Sequence, residues 1–560
     1  MLSDPATKYK PFPVIDLADR TWPDKRLTQA PRWLSTDLRD GNQALAEPMS
    51  VERKLKFWKL LLACGFKEIE VAFPAASDTD FQFVRQLIEE QRIPEEVTIQ
   101  VITQARADLI ERTFAALKGV RRATIHLYNA TAPLFRRLVF QQSKQEIIAL
   151  AVTASEQIRR YCQANPDTQW TYQYSPETFC FTEPDFALEI CEAVAKVWQP
   201  SPERPMIINL PSTVEVNTPN VYADQIEYFC RHFIYRESVC ISVHPHNDQG
   251  CGVASAELAL LAGAERVEGC LFGNGERTGN LCLVTLAMNL YSQGISPQLN
   301  FSEMTDIVEQ VEEYNQIPVH PRHPYAGKLA FTAFSGSHQD AIKKGFTARE
   351  QTTNSLWEIP YLLIDPNDIG CNYEAVIRVN SQSGKSGTAW MLEQNHGLKL
   401  PRALQQAFSQ QVQTLTDQSG GEMTLVQVWR LFRQLYGPHE QAAQQLLDYR
   451  TESLGGNRIL FHAQVKTADR TLMLRGEGNG LLSAAANALT SYTGKVLTIE
   501  DYHEHSLGRK NESRSAAYIL CSSPGQQSHW GVGVDSDIAR ASIQALLNTL
   551  PSVTMDENND

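Results

Sequence analysis

The stretch VCISVHPHNDQG (Val239–Gly250) sets a short apolar run, Val239–Val243, directly before His244-Pro245-His246-Asn247-Asp248. Short β-branched runs bounded by turn formers read as buried strands. Polar residues gathered just past such a run mark the carboxyl end of the strand as the place for chemistry. Seven similar runs flank this one: Trp33–Leu38, Ile69–Phe73, Val97–Ile102, Ala123–Leu127, Trp170–Tyr174, Met206–Leu210 and Arg266–Leu271. Amphipathic stretches with helix signals separate them. Ser50 stands as N-cap before Val51–Cys64, which Gly65 ends, and Thr218–Pro219 opens Asn220–Phe233. Eight strands, each followed by a helix, over roughly 250 residues predict a (β/α)8 TIM barrel. A doubly wound sheet with extra strands is the competing α/β fold.

Beyond Pro324 the alternation stops. The chain from Tyr325 to Tyr436 mixes loops with helical segments such as Arg402–Leu415 and Leu425–Leu435, and Asn380–Gly387 (NSQSGKSG) reads as a turn-rich linker. From Arg458 a new pattern begins: strands Ile459–Val465 and Arg470–Arg475, the turn Gly476–Gly480 and helix Leu481–Tyr492. Strands Val496–Tyr502 and Ala516–Cys521 and a last helix, Asp537–Leu550, complete a small α/β domain, and the tail Asp556–Asp560 reads as frayed. No internal repeat of fixed period stands out. The expected organisation is an N-terminal arm (1–30), a TIM barrel (31–325), a mixed helical linker region (326–445) and a small C-terminal α/β domain (446–560).

At 560 residues the chain exceeds what one hydrophobic core supports. Its composition, 42% hydrophobic and 21% charged, excludes global disorder. A formal net charge of −13 argues against nucleic acid and anionic membranes as partners. No apolar run approaches the roughly 18–20 residues of a membrane span, and Met1–Arg20 lacks the pattern of a signal peptide. The expected location is the cytoplasm. The 11 cysteines are odd in number and form no CxxC pair, which fits free thiols in a reducing compartment. Any metal would then need carboxylate and imidazole ligands.

Polar residues cluster where a barrel would place its active site. Strand 1 ends in Asp37-Leu38-Arg39-Asp40-Gly41-Asn42-Gln43; strand 4 carries His126, strand 5 Ser175 and Glu177, and strand 6 ends near Asn209 and Thr213. Strand 8 leads into GNGERTGN, Gly273–Asn280. Residues two apart on a strand share a face, so His244 and His246 can present two imidazoles to one ion, with Asp40 as a third ligand. Two imidazoles and a carboxylate suit Mn²⁺, Mg²⁺ or Zn²⁺ with open positions for substrate. The alternative is a pair of hydrogen-bonded structural histidines. Arg39 is an ion-pair partner of Asp40 or an oxyanion stabiliser, and Glu177 a helix cap or an acid–base group. GNGERTGN lacks the Gly-Lys-Ser/Thr of a P-loop and reads as an anion site or a plain tight turn.

Taken together, STDLRDGNQAL (Ser35–Leu45), NLPSTVEVNTPNVYAD (Asn209–Asp224), SVHPHNDQG (Ser242–Gly250) and GCLFGNGERTGN (Gly269–Asn280) resemble 2-isopropylmalate synthases. RHPYAGKLAFTAFSGSHQDAI (Arg322–Ile342), IPYLLIDP (Ile359–Pro366) and YEAVIRVNSQSGKSG (Tyr373–Gly387) extend the likeness. GEGNGLLSAAANAL (Gly476–Leu489) and WGVGVDSDI (Trp530–Ile538) carry it into the last domain, as in the family's long form.

The resemblance implies condensation of acetyl-CoA with 3-methyl-2-oxobutanoate and thioester hydrolysis, giving (2S)-2-isopropylmalate and CoA. It implies a divalent ion on Asp40, His244, His246 and Asn280, and contacts to the 2-oxo acid from His126, Ser175 and Thr213. Arg39 would stabilise oxygen charge. His338, with Glu177 and Tyr361 assisting, would take the methyl proton, His338 and Tyr361 coming from the partner in a homodimer. The C-terminal domain resembles a leucine-binding allosteric domain, whose Gly476, Gly478, Gly480, Gly531 and Gly533 would let a small ligand approach the backbone. K⁺ as an activator is implied by the likeness alone. Citramalate synthase (pyruvate acceptor), homocitrate synthase and C–C-cleaving acyl-CoA lyases share the metal motifs. A distal carboxylate would need an extra basic group that no strand end offers.

Overall fold

Ser50 accepts a hydrogen bond from the Arg53 amide and so caps helix Val51–Ala63, and Gly65, with φ of +93°, turns the chain out of it. Repeated seven more times, this strand–helix grammar closes a barrel. A computed structural model shows eight parallel strands in sequence order: β1 (Arg32–Ser35), β2 (Glu68–Ala72), β3 (Thr98–Gln104), β4 (Arg122–Ala130), β5 (Gln169–Glu177), β6 (Met206–Ser212), β7 (Cys240–Pro245) and β8 (Arg266–Gly269). β8 pairs back onto β1, from Arg32 opposite Arg266 to Ser35 opposite Gly269, so no sheet edge remains. The barrel expectation holds and the doubly wound alternative falls. The structure describes residues 1–351, 356–373, 385–419, 423–437, 444–467, 470–507 and 514–550.

Strand 1 is shorter than the sequence suggests. It stops at Ser35, and Asp37–Gly41 forms a single wide helical turn instead of a strand end. Asp37 holds that turn: buried, it accepts from the Leu271 amide and from Ser35 Oγ. The Asp37–Asn42 polar run is too rich in local hydrogen-bonding groups to continue an extended strand.

The chain divides into two compact units, one of Met1–Ala330 with Pro366–Cys371, the other of Phe331–Asp365 with Asn372–Asp560. The second unit contains helices Gly336–Glu350, Lys385–His396, Arg402–Ser419 and Leu425–Tyr436. The linker read at Asn380–Gly387 lies outside the described residues up to Gly384, and from Lys385 the chain is helical; the tail Asp556–Asp560 also lies outside them.

Two strands escaped the sequence pattern: β9 (Gln445–Gly455) and β14 (His529–Asp535). With β10 (Arg458–Lys466), β11 (Thr471–Gly478), β12 (Thr498–Leu507) and β13 (Arg514–Ser522) they form two antiparallel sheets, β11-β10-β9 and β12-β13-β14. Each sheet is followed by one helix, Leu481–Thr493 or Ile538–Leu547. The C-terminal part, from Gln445 to Leu547, is thus a three-strands-then-helix module used twice. Sequence periodicity misses the duplication because its two copies share little beyond a Gly-x-Gly in the third strand.

Those glycines correct another expectation. A Cβ at Gly476 or Gly478 would lie 2.4 Å from backbone of Ala488 or Ala484, and one at Gly531 or Gly533 about 2 Å from Ala545 or Ala541 oxygen. They seat helices on sheets and are filled by them, leaving no room for a ligand. The opposite face of β12–β14 shares its core with the preceding helices: Tyr518, Trp530 and Val532 pack with Phe408, Val412, Val428 and Phe432.

Candidate active site

The wide turn after β1 and the loop after β8 deliver the decisive side chains. Backbone pairing of Asn247 N to Gly279 O and of Leu281 N to Pro245 O ties the β8 loop to the end of β7. Gly279, with φ of +102°, lets the loop fold onto Gly273, where any Cβ would collide with the Gly273 oxygen. GNGERTGN is therefore a tight turn closed around Asn280. Arg277 secures it by binding Asp248 at 2.7 Å and the Thr213 oxygen at 2.6 Å.

Asp40, His244 and His246 converge, their ligand atoms all within 4.8 Å of one another, and all three are buried. The two imidazoles stack with centroids 5.3 Å apart and planes 14° apart, as a shared strand face requires. Asn280 Oδ1 lies 2.7 Å from His244 Nε2 and Asp40 Oδ2 lies 3.3 Å from it. The Asn280 amide is oriented by its NH₂, which donates to Asn274 O and Cys270 Sγ. Two acceptor oxygens thus aim at one ring nitrogen, and they need a cation, proton or metal, between them. His246 Nδ1 is buried and has no hydrogen-bond partner among the described residues. An orphaned imidazole nitrogen beside two converging oxygens fits a metal ligand set and leaves the purely structural pair unexplained.

The electrostatics agree. Burial works against charge on His244, yet hydrogen bonds from its ring to Asp40 and Glu268 push it up to about 10 when no metal is bound. Burial and the neighbouring His244 charge push His246 down to about 4. Burial opposes ionisation of Asp40 too, but Arg39 and His244 hold its carboxyl well below the usual range.

Around this centre lie the other predicted groups of the barrel. Arg39 Nη1 is 3.2 Å from Asp40 Oδ2, and its Nε binds Glu70. His126 Nδ1 donates to Glu70 Oε2 at 2.8 Å, and its Nε2 faces Ser175 Oγ at 2.7 Å. Asn209 donates to the same Ser175 oxygen. Thr213 Oγ1 accepts from the Thr178 amide. Glu177 makes no side-chain hydrogen bond among the described residues, and burial raises its pKa, partly offset by Arg39. His338 and Tyr361 belong to the second unit, where both are exposed and their rings stack 3.9 Å apart.

The comparisons agree with the geometry. Residues 30–311 match the HMGL-like family, residues 328–393 the alpha-isopropylmalate synthase post-catalytic domain-like family, and residues 422–554 the LeuA allosteric (dimerisation) domain. A 2-isopropylmalate synthase of Marinomonas sp. (strain MWYL1) is 60% identical over 98% of each chain, and one of Pseudomonas entomophila (strain L48) 55% identical over 98% of each. The chain belongs to the 2-isopropylmalate synthase family. As a family member it carries an acyltransferase barrel and a LeuA-type allosteric domain.

Four residues of the site escaped the sequence reading of this synthase-family chain: Glu70, Gln100, Arg266 and Glu268. All are at most 1% exposed. Arg266 binds Glu268, Gln100, Gln173 and Ser242, and Gln100 donates to Glu70. The signal for Glu70, Arg266 and Glu268 was charge at alternate positions of otherwise apolar strands, Glu68 and Glu70 in EIEVA and Arg266 and Glu268 in RVEG. Among the described residues no helix is long and apolar enough to cross a membrane.

Proposed function

We propose that the barrel condenses acetyl-CoA with 3-methyl-2-oxobutanoate and releases (2S)-2-isopropylmalate and CoA, as a leucine-regulated enzyme of the cytoplasm. The observation that carries this is the convergence of Asp40, His244, His246 and Asn280 in a chain of this family. These four residues would hold the divalent ion, Mg²⁺, Mn²⁺ or Zn²⁺. When bound, the ion supplies Lewis-acid polarisation of the acceptor ketone.

The side chains do the rest. His126, Ser175 and Thr213 offer hydrogen-bonding groups at the strand ends to fix the 2-oxo acid. Arg39, held by Glu70 and Asp40, keeps positive charge where the ketone oxygen becomes anionic. His338 takes the acetyl methyl proton, with Tyr361 and Glu177 assisting, and in this reading His338 and Tyr361 come from the partner subunit of a homodimer. The methyl carbon then bonds to the ketone carbon, the ketone oxygen gains a proton, and water cleaves the thioester to expel CoA. Positive charge at the centre is local, set against a chain of net −13.

Regulation has a place as well. A cavity of about 420 Å³ is lined by Gly480–Ser483, Tyr502, Glu504, Ile538, Ala539 and Ser542. Gly480 has no side chain to cap helix Leu481–Thr493, so its first-turn N–H groups are available to a carboxylate. Glu504 can take an ammonium group, and Leu481, Leu482 and Ile538 an aliphatic side chain. These are the three parts of leucine.

The test is CoA release from acetyl-CoA with a panel of 2-oxo acids, with and without leucine. The two extra methyl groups of 3-methyl-2-oxobutanoate predict kcat/KM about tenfold or more above pyruvate. A preference for pyruvate would make the protein a citramalate synthase.

A further inference from the structure

The floor of the barrel holds an unusual amount of buried charge. Arg266 and Glu268 are wholly buried, two residues apart on β8, with Nη1 and Oε1 2.6 Å apart. Glu268 Oε1 also accepts from Gln173 Nε2 at 2.8 Å and Ser242 Oγ at 3.0 Å. Its other oxygen, Oε2, lies 3.1 Å from Nδ1 of His244. Arg266 is fixed from its far side by Glu68 at 2.7 Å and Gln100 at 2.9 Å. A layer this polar is costly in a barrel core unless every member is paired, and this one is.

The pairing has a direction. A carboxylate accepts only, so the ring atom facing Glu268 is Nδ1–H. With Nδ1–H held there, only Nε2 can give up its proton to a metal and offer a lone pair, and Nε2 is the atom toward which Asp40 and Asn280 also point. Rotation of the ring would put a carbon against Glu268 and strand the carboxylate. Arg266, with Gln173 and Ser242, holds the other oxygen of Glu268 and prevents it from following any other partner.

We propose that Glu268, clamped by Arg266, is a positioning residue of the metal centre: it fixes His244 in the Nδ1–H tautomer and aims Nε2 at the cation. This rests on the reading of Asp40, His244 and His246 as metal ligands. Glu268 acts through His244 and is not one of the proposed ligands. Hydrogen-bonded carboxylates behind metal-bound imidazoles tune affinity as well as orientation, and their loss weakens binding about 10–100-fold.

The experiment is a calorimetric titration of metal-stripped full-length protein with Mn²⁺, comparing wild type, Glu268→Gln and Glu68→Gln. Glu68 binds Arg266 but no imidazole, so it reports damage to the buried layer alone. Expected is Mn²⁺ binding about 10–100-fold weaker in Glu268→Gln and within about threefold of wild type in Glu68→Gln. Equal affinity of wild type and Glu268→Gln, or equal weakening in both variants, would overturn the proposal while leaving the metal centre standing. A wild type that takes up no Mn²⁺ would overturn both. Should Glu268→Gln fail to fold, ¹⁵N-histidine spectra of the Cd²⁺-loaded wild type decide the matter. Cadmium coupling at His244 Nε2 with a protonated Nδ1 is expected; coupling at Nδ1 would contradict it.

Discussion

Asn280 Oδ1 stands 2.7 Å from Nε2 of His244, with Asp40 Oδ2 on the same nitrogen at 3.3 Å. Three chain segments meet there: the turn after β1, the end of β7 and the loop after β8. A cation at that point joins all three.

Asp40 supplies the charge of the set and Asn280 a neutral oxygen, so their removal should differ in size. Asp40→Asn is expected to weaken Mn²⁺ binding by about 100-fold or more, and Asn280→Ala by about tenfold. Calorimetry on metal-stripped protein reads both. Equal, small effects would place the ion elsewhere.

Glu70 ties Arg39, the proposed charge stabiliser, to His126, a proposed substrate contact, through its two oxygens. Glu70→Gln breaks the ion pair while keeping the shape. The expected loss in kcat/KM for the 2-oxo acid is about 100-fold, or about 2.7 kcal/mol, with Mn²⁺ affinity unchanged. Steady-state kinetics beside the same titration separates these outcomes.

Burial raises Glu177 above the ordinary glutamate range, with Arg39 pulling the other way. If its carboxylate assists proton removal, activity is present above that raised pKa and falls as pH drops through it. The acid limb of kcat/KM should therefore lie above pH 4.5 and vanish in Glu177→Gln. A limb unchanged in the variant would remove Glu177 from the proton path.

The sequence made the barrel legible because β-branched runs and N-caps alternate cleanly, as in Ser50 before Val51–Ala63. It also disclosed Asp40, His244 and His246, since polar residues after apolar runs stand out. It concealed the supporting layer. Glu70, Gln100 and Arg266 meet across separations of 30 to 166 residues, which no local pattern records. It misled on the glycines, because Gly-x-Gly looks the same whether a ligand or a helix backbone lies above it. Gly476 and Gly533 meet helices.

Leucine control should be separable from catalysis by filling the cavity. Ala539→Trp is expected to weaken leucine inhibition about tenfold or more while basal CoA release stays within about twofold. Truncation near Arg450 should also abolish inhibition, but it strips Tyr518, Trp530 and Val532 from Phe408 and Phe432 and so uncovers an apolar core. Inhibition intact in Ala539→Trp would move the leucine site.

The most direct test is metal removal. Protein freed of divalent ions by chelation and dialysis should release no CoA from acetyl-CoA and 3-methyl-2-oxobutanoate above background. Adding back one equivalent of Mn²⁺ or Mg²⁺ per subunit, in slight excess, should restore turnover in wild type but not in His244→Ala. Full turnover by protein verified to be metal-free would contradict the metal-centred site at Asp40, His244 and His246.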